Sequence, residues 1–310
     1  MSVTIWRRLR VDRIGIKVVI NPDLFKHVYG QLFSMVEMQP ELLPAGKMIV
    51  IKDKKKHTTC LHYYAAYTHK EAGRREIVDI TLGAYKLPGK TNVYRYLTLT
   101  LYPSQFQGGE FEHFKWIFDN LMGDITYSGL YHMGKVTYLE LAADSLSQKQ
   151  HSFLPYRKYV SKSNIWQEAN GPFGTTYVGS KDSDFRFRVY DKRKQLLDKG
   201  KPSQFEILPH TRVEVVKRKL GVTPIELIHM KNPFVKLLIA DLAKAKAASP
   251  ETDWQNFVSE CLIVGVPEAL SNHPQQRKQY RAALDNVQAP WWQPEAIWQD
   301  LPKALAVIAP

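Results

Sequence analysis

The chain of 310 residues is long enough to bury two cores, or one core with a substantial appendage, and its 44% hydrophobic and 24% charged composition is that of a folded protein. Lys and Arg number 43 against 30 Asp and Glu, a formal charge of +13 that argues against an ordinary enzyme of small metabolites and for a phosphate-bearing polymer as partner. An anionic membrane surface is the rival, but there is no polybasic amphipathic helix and no apolar run of bilayer length, so no membrane association is expected.

Along the chain, Arg7, Arg8, Arg10 and Arg13 precede no small-residue cleavage site, which does not read as a secretory signal. Residues 11–20, rich in β-branched side chains, predict a strand, and Asn21 followed by Pro22 predicts entry into a helix over residues 22–38. Residues 48–51, 94–102 and 135–143 are further strand candidates. Residues 109–122 predict a helix with Phe111, Phe114, Ile117, Phe118 and Leu121 on one face. Gly171-Pro172-Phe173-Gly174 reads as a turn before a hairpin. From Phe185 to Val189 the alternation is strict, with Phe185, Phe187 and Val189 to one side and Arg186, Arg188, Tyr190 and Lys192 to the other. After Leu220 the character changes: Thr223-Pro224-Ile225-Glu226 predicts a helix start with Thr223 as N-cap, and the remainder is helical in period, broken by prolines. The expected architecture is α+β, a mainly antiparallel sheet domain with flanking helices over residues 1–220, followed by a helical region over residues 221–310. Cys60 and Cys261 lie far apart in sequence and are expected as free thiols in a reducing cytoplasm.

A phenol set between cations suits attack on a phosphodiester, because the cations neutralise the phosphate and favour the phenolate. An exposed strand with solvated arginines is the plainer reading of the same segment. Glu140 and Asp144 share one face of their strand, Glu214 shares a face with Arg212, and Asp12 opens the first strand. Such carboxylates are the hard oxygen ligands of Mg²⁺ or Mn²⁺, and equally the salt-bridge partners of residues such as Arg212 and Arg218. No two histidines stand in His-hydrophobe-His spacing, and His57, Cys60 and His62 lack a second ligand pair for zinc. His210 offers a general base, with simple exposure as the alternative. The absence of a glycine-rich phosphate loop argues against ATP hydrolysis, and no serine is framed as a nucleophile elbow. The charge cluster at residues 52–57 reads as a solvated turn or a DNA-tracking hairpin tip. Trp291, Trp292 and Trp298 read as packing against the last helix rather than as platforms for bases.

Four stretches, in this order, resemble the replication initiation factor family (Rep_trans), which comprises rolling-circle initiators of plasmids and filamentous phages and relaxases of some conjugative elements. They are Val11-Asp12-Arg13-Ile14, then Tyr138-Leu139-Glu140-Leu141-Ala142-Ala143-Asp144, then the segment from Tyr177-Val178-Gly179-Ser180 to Arg188-Val189-Tyr190-Asp191-Lys192, and Thr211-Arg212-Val213-Glu214. The resemblance covers roughly the amino-terminal two-thirds, and the third stretch is its specific part. Tyr138 stands where the family usually has arginine, and Glu140 replaces an aspartate. Where the family carries a glutamate soon after Tyr-Asp-Lys, Arg193-Lys194-Gln195 follows, so that ligand is either missing or supplied by Glu206.

The resemblance implies a sequence-specific DNA nicking and joining enzyme. Tyr190, presented to the DNA backbone, forms a 5′-phosphotyrosyl link and leaves a 3′-hydroxyl for a polymerase. Tyr177 competes for this role but lies outside the alternating cationic run. Arg188 and Lys192 then hold the scissile phosphate, while Lys181, Arg186, Arg212 and Arg218 contact DNA. Glu140 and Glu214, followed by Asp12 and Asp144, hold Mg²⁺ or Mn²⁺. Because one phosphoester replaces another, the nick needs no ATP, whereas strand separation implies a separate helicase. The implied partner is origin DNA, double- and single-stranded, and dimeric plasmid members of the family allow a homodimer. The alternative class is a non-catalytic DNA-binding regulator on the same fold. An RNA-binding protein ranks lower because no RNA-recognition aromatic motif is present.

Overall fold

The computed structural model describes residues 5–6, 9–38, 46–53, 58–65, 77–86, 91–146, 148–158, 163–166, 174–198, 200 and 208–310. The strands are β1 (Ile5–Trp6), β2 (Arg10–Ile20), β3 (Gly46–Asp53), β4 (Thr58–Ala65), β5 (Val78–Lys86), β6 (Val93–Leu101) and β7 (Lys135–Leu146). They continue with β8 (Phe153–Tyr156), β9 (Ser163–Trp166), β10 (Thr175–Val178), β11 (Phe185–Asp191), β12 (His210–Arg218) and β13 (Leu238–Asp241). The fold is α+β, with antiparallel pairing and flanking helices. No described helix is long and apolar enough to cross a membrane.

The chain forms two compact units. The amino-terminal unit comprises Val11–Glu140, Lys219–Met230 and Leu305–Pro310; the central unit comprises Met1–Arg10, Leu141–Arg218 and Lys231–Ala304. The amino-terminal unit orders its strands β3-β4-β5-β6-β2-β7. Register places Ile14 and Ile16 of β2 opposite Leu101 and Leu99 of β6, and Ile80 and Leu82 of β5 opposite Leu99 and Leu97, so one sheet face is a continuous buried apolar surface. On the other face Gly83 leaves room for the Tyr96 ring, which occupies the space a Cβ would need, and Lys17 Nζ lies 3.8 Å from that ring's centroid. Helix Pro22–Met38 starts where the Asn-Pro pair predicts, with Asn21 Oδ1 accepting from the Leu24 amide at 2.8 Å. Helix Glu110–Leu121 buries Phe114, Ile117 and Phe118. Phe118 meets the Tyr127 ring edge-on at 6.4 Å, and the Tyr127 hydroxyl donates to the Ile308 carbonyl at 2.6 Å, fastening the end of the chain to this unit.

The central unit orders its main sheet β7-β12-β11-β10-β9, with β1 on β7, and pairs β13 with β8 separately. Strict alternation separates its faces: Phe187, Val189, Val213 and Val215 are buried on one, and Phe187 meets Phe234 at 6.4 Å. Trp292 and Trp298 pack edge-on against Phe234 at 6.0 and 6.3 Å, and Trp291 against Phe153 at 4.8 Å. The tryptophans are therefore packing residues. A further core gathers Leu154 and Tyr156 of β8 with Trp254, Phe257, Cys261, Tyr280 and Leu284 from helices Thr252–Val264 and Arg277–Asn286. Burial pushes the Cys261 thiol above its ordinary range, which suits an inert core residue.

Two local expectations are corrected. The segment after Thr223 makes only a short 3₁₀ turn, Ile225–His229, and Glu226 accepts from both the Thr223 amide at 2.6 Å and its hydroxyl at 2.8 Å. The threonine therefore donates instead of capping. Within the region read as helical, Leu238–Asp241 forms strand β13, because a short apolar run carries no period that separates helix from strand. Packing also groups residues 231–304 with the central unit and 219–230 with the amino-terminal one, so Leu220 marks a change in element type along the chain. The turn at residues 171–173, Glu206 and the cluster at residues 54–57 lie outside the described residues.

Phe257 is fully buried at the centre of the helical core, whereas Trp116 is 65% exposed. Phe257→Ala should lower unfolding stability by about 3–5 kcal/mol and Trp116→Ala by no more than about 0.5 kcal/mol, read as urea midpoints at constant slope.

Candidate active site

In the central unit, the register of β10, β11 and β12 assembles a polar face from residues that alternate with the core. Tyr177 stands opposite Arg188, and Arg188 opposite Glu214; Thr175 stands opposite Tyr190, and Tyr190 opposite Arg212. Directly opposed residues share a face and sit close enough for side chains to meet. The Tyr190 hydroxyl donates to Glu214 Oε1 at 2.6 Å, and Arg188 Nε donates to Glu214 Oε2 at 2.5 Å with its Nη2 on the same oxygen. Arg212 Nη1 lies 3.7 Å from Glu214 Oε1. Glu214 is 1% exposed, so its charge depends on these donors for the solvation it has lost.

Arg212 also reaches Asp144 on β7, with Nε to Oδ1 at 2.6 Å and Nη2 to Oδ2 at 3.0 Å. Arg10 donates to Asp144 Oδ2, and His210 Nε2 lies 3.1 Å from Oδ1. Burial alone would raise the Asp144 pKa, but the His210 contact and the Arg10 charge outweigh it and hold the carboxyl below its ordinary range. Positions 210, 212 and 214 thus form one alternating row on β12, two of whose members face Asp144.

Cations surround the Tyr190 ring, with Arg188 Cζ at 5.1 Å and Lys192 Nζ at 5.7 Å from its centroid. The ring itself is 3% exposed, so the expectation of a phenol presented openly is corrected: Arg188 and Lys192 lie over it and its hydroxyl is turned to Glu214. Lys192 no longer belongs to the strand. Asp191 Oδ1 accepts from the Lys194 amide at 2.9 Å and starts helix Lys192–Asp198, and Lys192 Nζ bonds Gln195 at 2.5 Å. The aspartate of Tyr-Asp-Lys is therefore a helix cap, a role that its place at a strand's end before a basic helical run could have signalled.

Tyr177, expected outside the cationic run, lies on that face by strand pairing. It is partly exposed, and Arg186 Cζ is 5.5 Å from its ring. Arg212, expected to contact DNA, is 5% exposed and committed to Asp144 and Glu214. Asp144, expected as a metal ligand, has both oxygens engaged by Arg10 and Arg212 and is a structural counter-ion. His210, for which simple exposure was one expectation, begins β12 and is buried. Lys181 is exposed in the β10–β11 turn, where its carbonyl accepts from Arg218 Nη1 at 3.0 Å.

In the amino-terminal unit, Asp12 and Glu140 offer carboxylate oxygens within 4.8 Å of one another. The Tyr138 hydroxyl donates to Glu140 Oε2 at 2.7 Å, and Arg13 Cζ lies over the Tyr138 ring at 4.8 Å and the Tyr102 ring at 5.2 Å. An oxygen-only pair suits a hard divalent cation better than zinc or copper.

No protein-family model matches the chain, and no curated protein matches it. Among solved structures, the chain is similar to a rolling-circle replication initiator protein from Geobacillus stearothermophilus, with 12% identity, a TM-score of 0.38, and coverage of 84% of this chain and 98% of that one.

Because the Asp144 pKa is lowered on folding, its contribution to stability is complete above the ordinary carboxylate value of about 3.9 and is lost as pH falls through the lower folded value. Asp144→Asn should cost about 3–5 kcal/mol at neutral pH by stranding Arg10 and Arg212, and should flatten the acid limb of the stability profile, measured by urea denaturation over a pH series.

Proposed function

We propose that this protein is a DNA nicking and joining enzyme that starts rolling-circle replication or strand transfer through a covalent phosphotyrosine. The observation that carries the reading is the hydrogen bond from the Tyr190 hydroxyl to buried Glu214, with Arg188 on the same carboxylate and over the same ring. A phenol already donating to a carboxylate has a base in place, and adjacent cations favour its anion. The sequence resemblance and the charge of +13 add independent support for DNA as substrate.

In this mechanism Tyr190 Oη attacks the scissile phosphorus and gives its proton to Glu214. The new Oη–P bond holds the downstream fragment by its 5′-phosphate, and the broken P–O3′ bond releases the upstream fragment's 3′-oxygen, which takes up a proton. Arg188 and Lys192 offset charge on the phosphate, and their movement off the ring gives the DNA access to the buried phenol. Asp12 and Glu140 would hold Mg²⁺ or Mn²⁺. Such an ion polarises a phosphate oxygen when bound. Asp144 and Arg212 take no part in this ligand set or in DNA contact; they position Glu214. Lys181, Arg186 and Arg218 are the proposed backbone contacts. The sheet-rich part before residue 220 would carry the nicking chemistry, with origin DNA, a separate helicase and a second copy as partners in the cytoplasm.

Two observations favour other readings. Tyr177 is the more exposed phenol on the same face, which makes it the alternative nucleophile. The burial of Tyr190 and the saturation of Glu214 suit a regulator that binds DNA without cutting it.

With supercoiled DNA carrying the cognate origin and Mg²⁺ or Mn²⁺, the wild type should nick and remain covalently attached on a denaturing gel. Tyr190→Phe should lose at least about 10³-fold in nicking while binding normally, and Tyr177→Phe should nick as the wild type does. An inactive Tyr177→Phe beside an active Tyr190→Phe moves the nucleophile, and a wild type that binds but cuts with no metal establishes the regulator.

Removing metal with a chelator should abolish nicking and leave DNA binding intact. Asp12→Asn and Glu140→Gln should each raise the Mn²⁺ concentration for half-maximal nicking by about tenfold or more, read from metal titrations at fixed DNA.

A further inference from the structure

The opposite face of β11 and β12 in the central unit carries a second group of cations, unconnected with Tyr190. Lys217 stands directly opposite Phe185 in the strand register. Arg157, just after β8, places Cζ 4.5 Å from the Phe185 ring centroid, and Lys236, in the turn Phe234–Lys236, places Nζ 5.2 Å from it. Three positive side chains thus meet around one half-exposed ring. Among the described residues, none of the three pairs with a carboxylate. Arg157 Nε is buried and has no hydrogen-bond partner among the described residues.

Burial lowers the pKa of Lys217 and the Lys236 charge lowers it further, while burial lowers that of Arg157. The Phe185 ring attracts the two cations over it but does not neutralise them. Like charges brought together, partly dehydrated and with an unused N–H, are arranged for a multivalent anion rather than for stability.

We propose that Arg157, Lys217 and Lys236 form a phosphate-binding site around Phe185. A phosphate offers several acceptor oxygens to a guanidinium and two ammonium groups at once, and completes the valence of Arg157 Nε. Its source is a backbone phosphodiester of DNA or a free phosphate-bearing small molecule. The site lies on residues that alternate with those of the proposed nicking face and does not depend on that chemistry.

The test compares the full-length protein with Lys236→Gln, Lys217→Gln and the triple variant that adds Arg157→Gln, each also in a Tyr190→Phe background so that binding is read without cleavage. Inorganic phosphate should raise the melting temperature of the parent by roughly 2–4 °C over chloride at equal ionic strength and leave the triple variant unmoved. In chloride the variants should melt no lower than the parent, since each loses a repelling charge. If DNA is the source, the slope of log affinity for duplex DNA against log salt should become shallower by about one unit in the triple variant. A phosphate effect with an unchanged DNA slope assigns the site to a small phosphate-bearing molecule. Equal melting shifts and equal slopes in parent and triple variant overturn the proposal. Lys236 is exposed, so its single variant keeps the comparison readable should the triple variant fold poorly.

Discussion

Two carboxylates, Glu214 and Asp144, are buried in the central sheet, and the unit can hold them only because cations are buried with them. Each is 1% exposed. Dehydrating such a group costs several kcal/mol unless it is paired and hydrogen-bonded. Arg212 serves both acids, while Arg188 and Tyr190 complete Glu214, and Arg10 with His210 flanks Asp144. The position of the Tyr190 hydroxyl is therefore set by electrostatic necessity. A shift of β12 by one residue would turn His210, Arg212 and Glu214 into the apolar layer and break every bond they make here.

The same pairing of strands serves two unlike surfaces. Period two buries Phe187, Val189, Val213 and Val215 on one side, where Phe187 meets Phe234, and sends Arg188, Tyr190, Arg212 and Glu214 to the polar side. At the start of β11 the apolar side ends in Phe185, where Arg157, Lys217 and Lys236 converge. On the polar side, cations are neutralised by buried acids. On the other they have no acidic partner among the described residues. This difference separates the hydrogen-bonded network around Glu214 from the group of cations around Phe185.

The end of β11 shows how local chemistry defines the site. Asp191 stops the strand and caps the following helix, which carries Lys192 out of the strand row while leaving its ammonium near the Tyr190 ring. In the amino-terminal unit, the Tyr138 hydroxyl donates to Glu140, and Arg13 places positive charge over the same ring.

The alternation of residues 185–189, the entry to the helix at Asn21 and the apolar face of residues 109–122 were legible in the chain itself, because strand and helix periods and capping depend on local backbone geometry. So was the assignment of Arg188, Tyr190 and Glu214 to polar faces. Only the tertiary structure decided that Arg212 and Asp144 neutralise each other, that His210 is buried, and that Tyr177 shares the face of Arg188. Those outcomes depend on which strands become neighbours and in what register, and residues 68 positions apart such as Asp144 and Arg212 leave no periodic trace of their pairing. The hydrogen bond from Tyr190 to Glu214 was hidden for the same reason, since it joins two strands 24 positions apart.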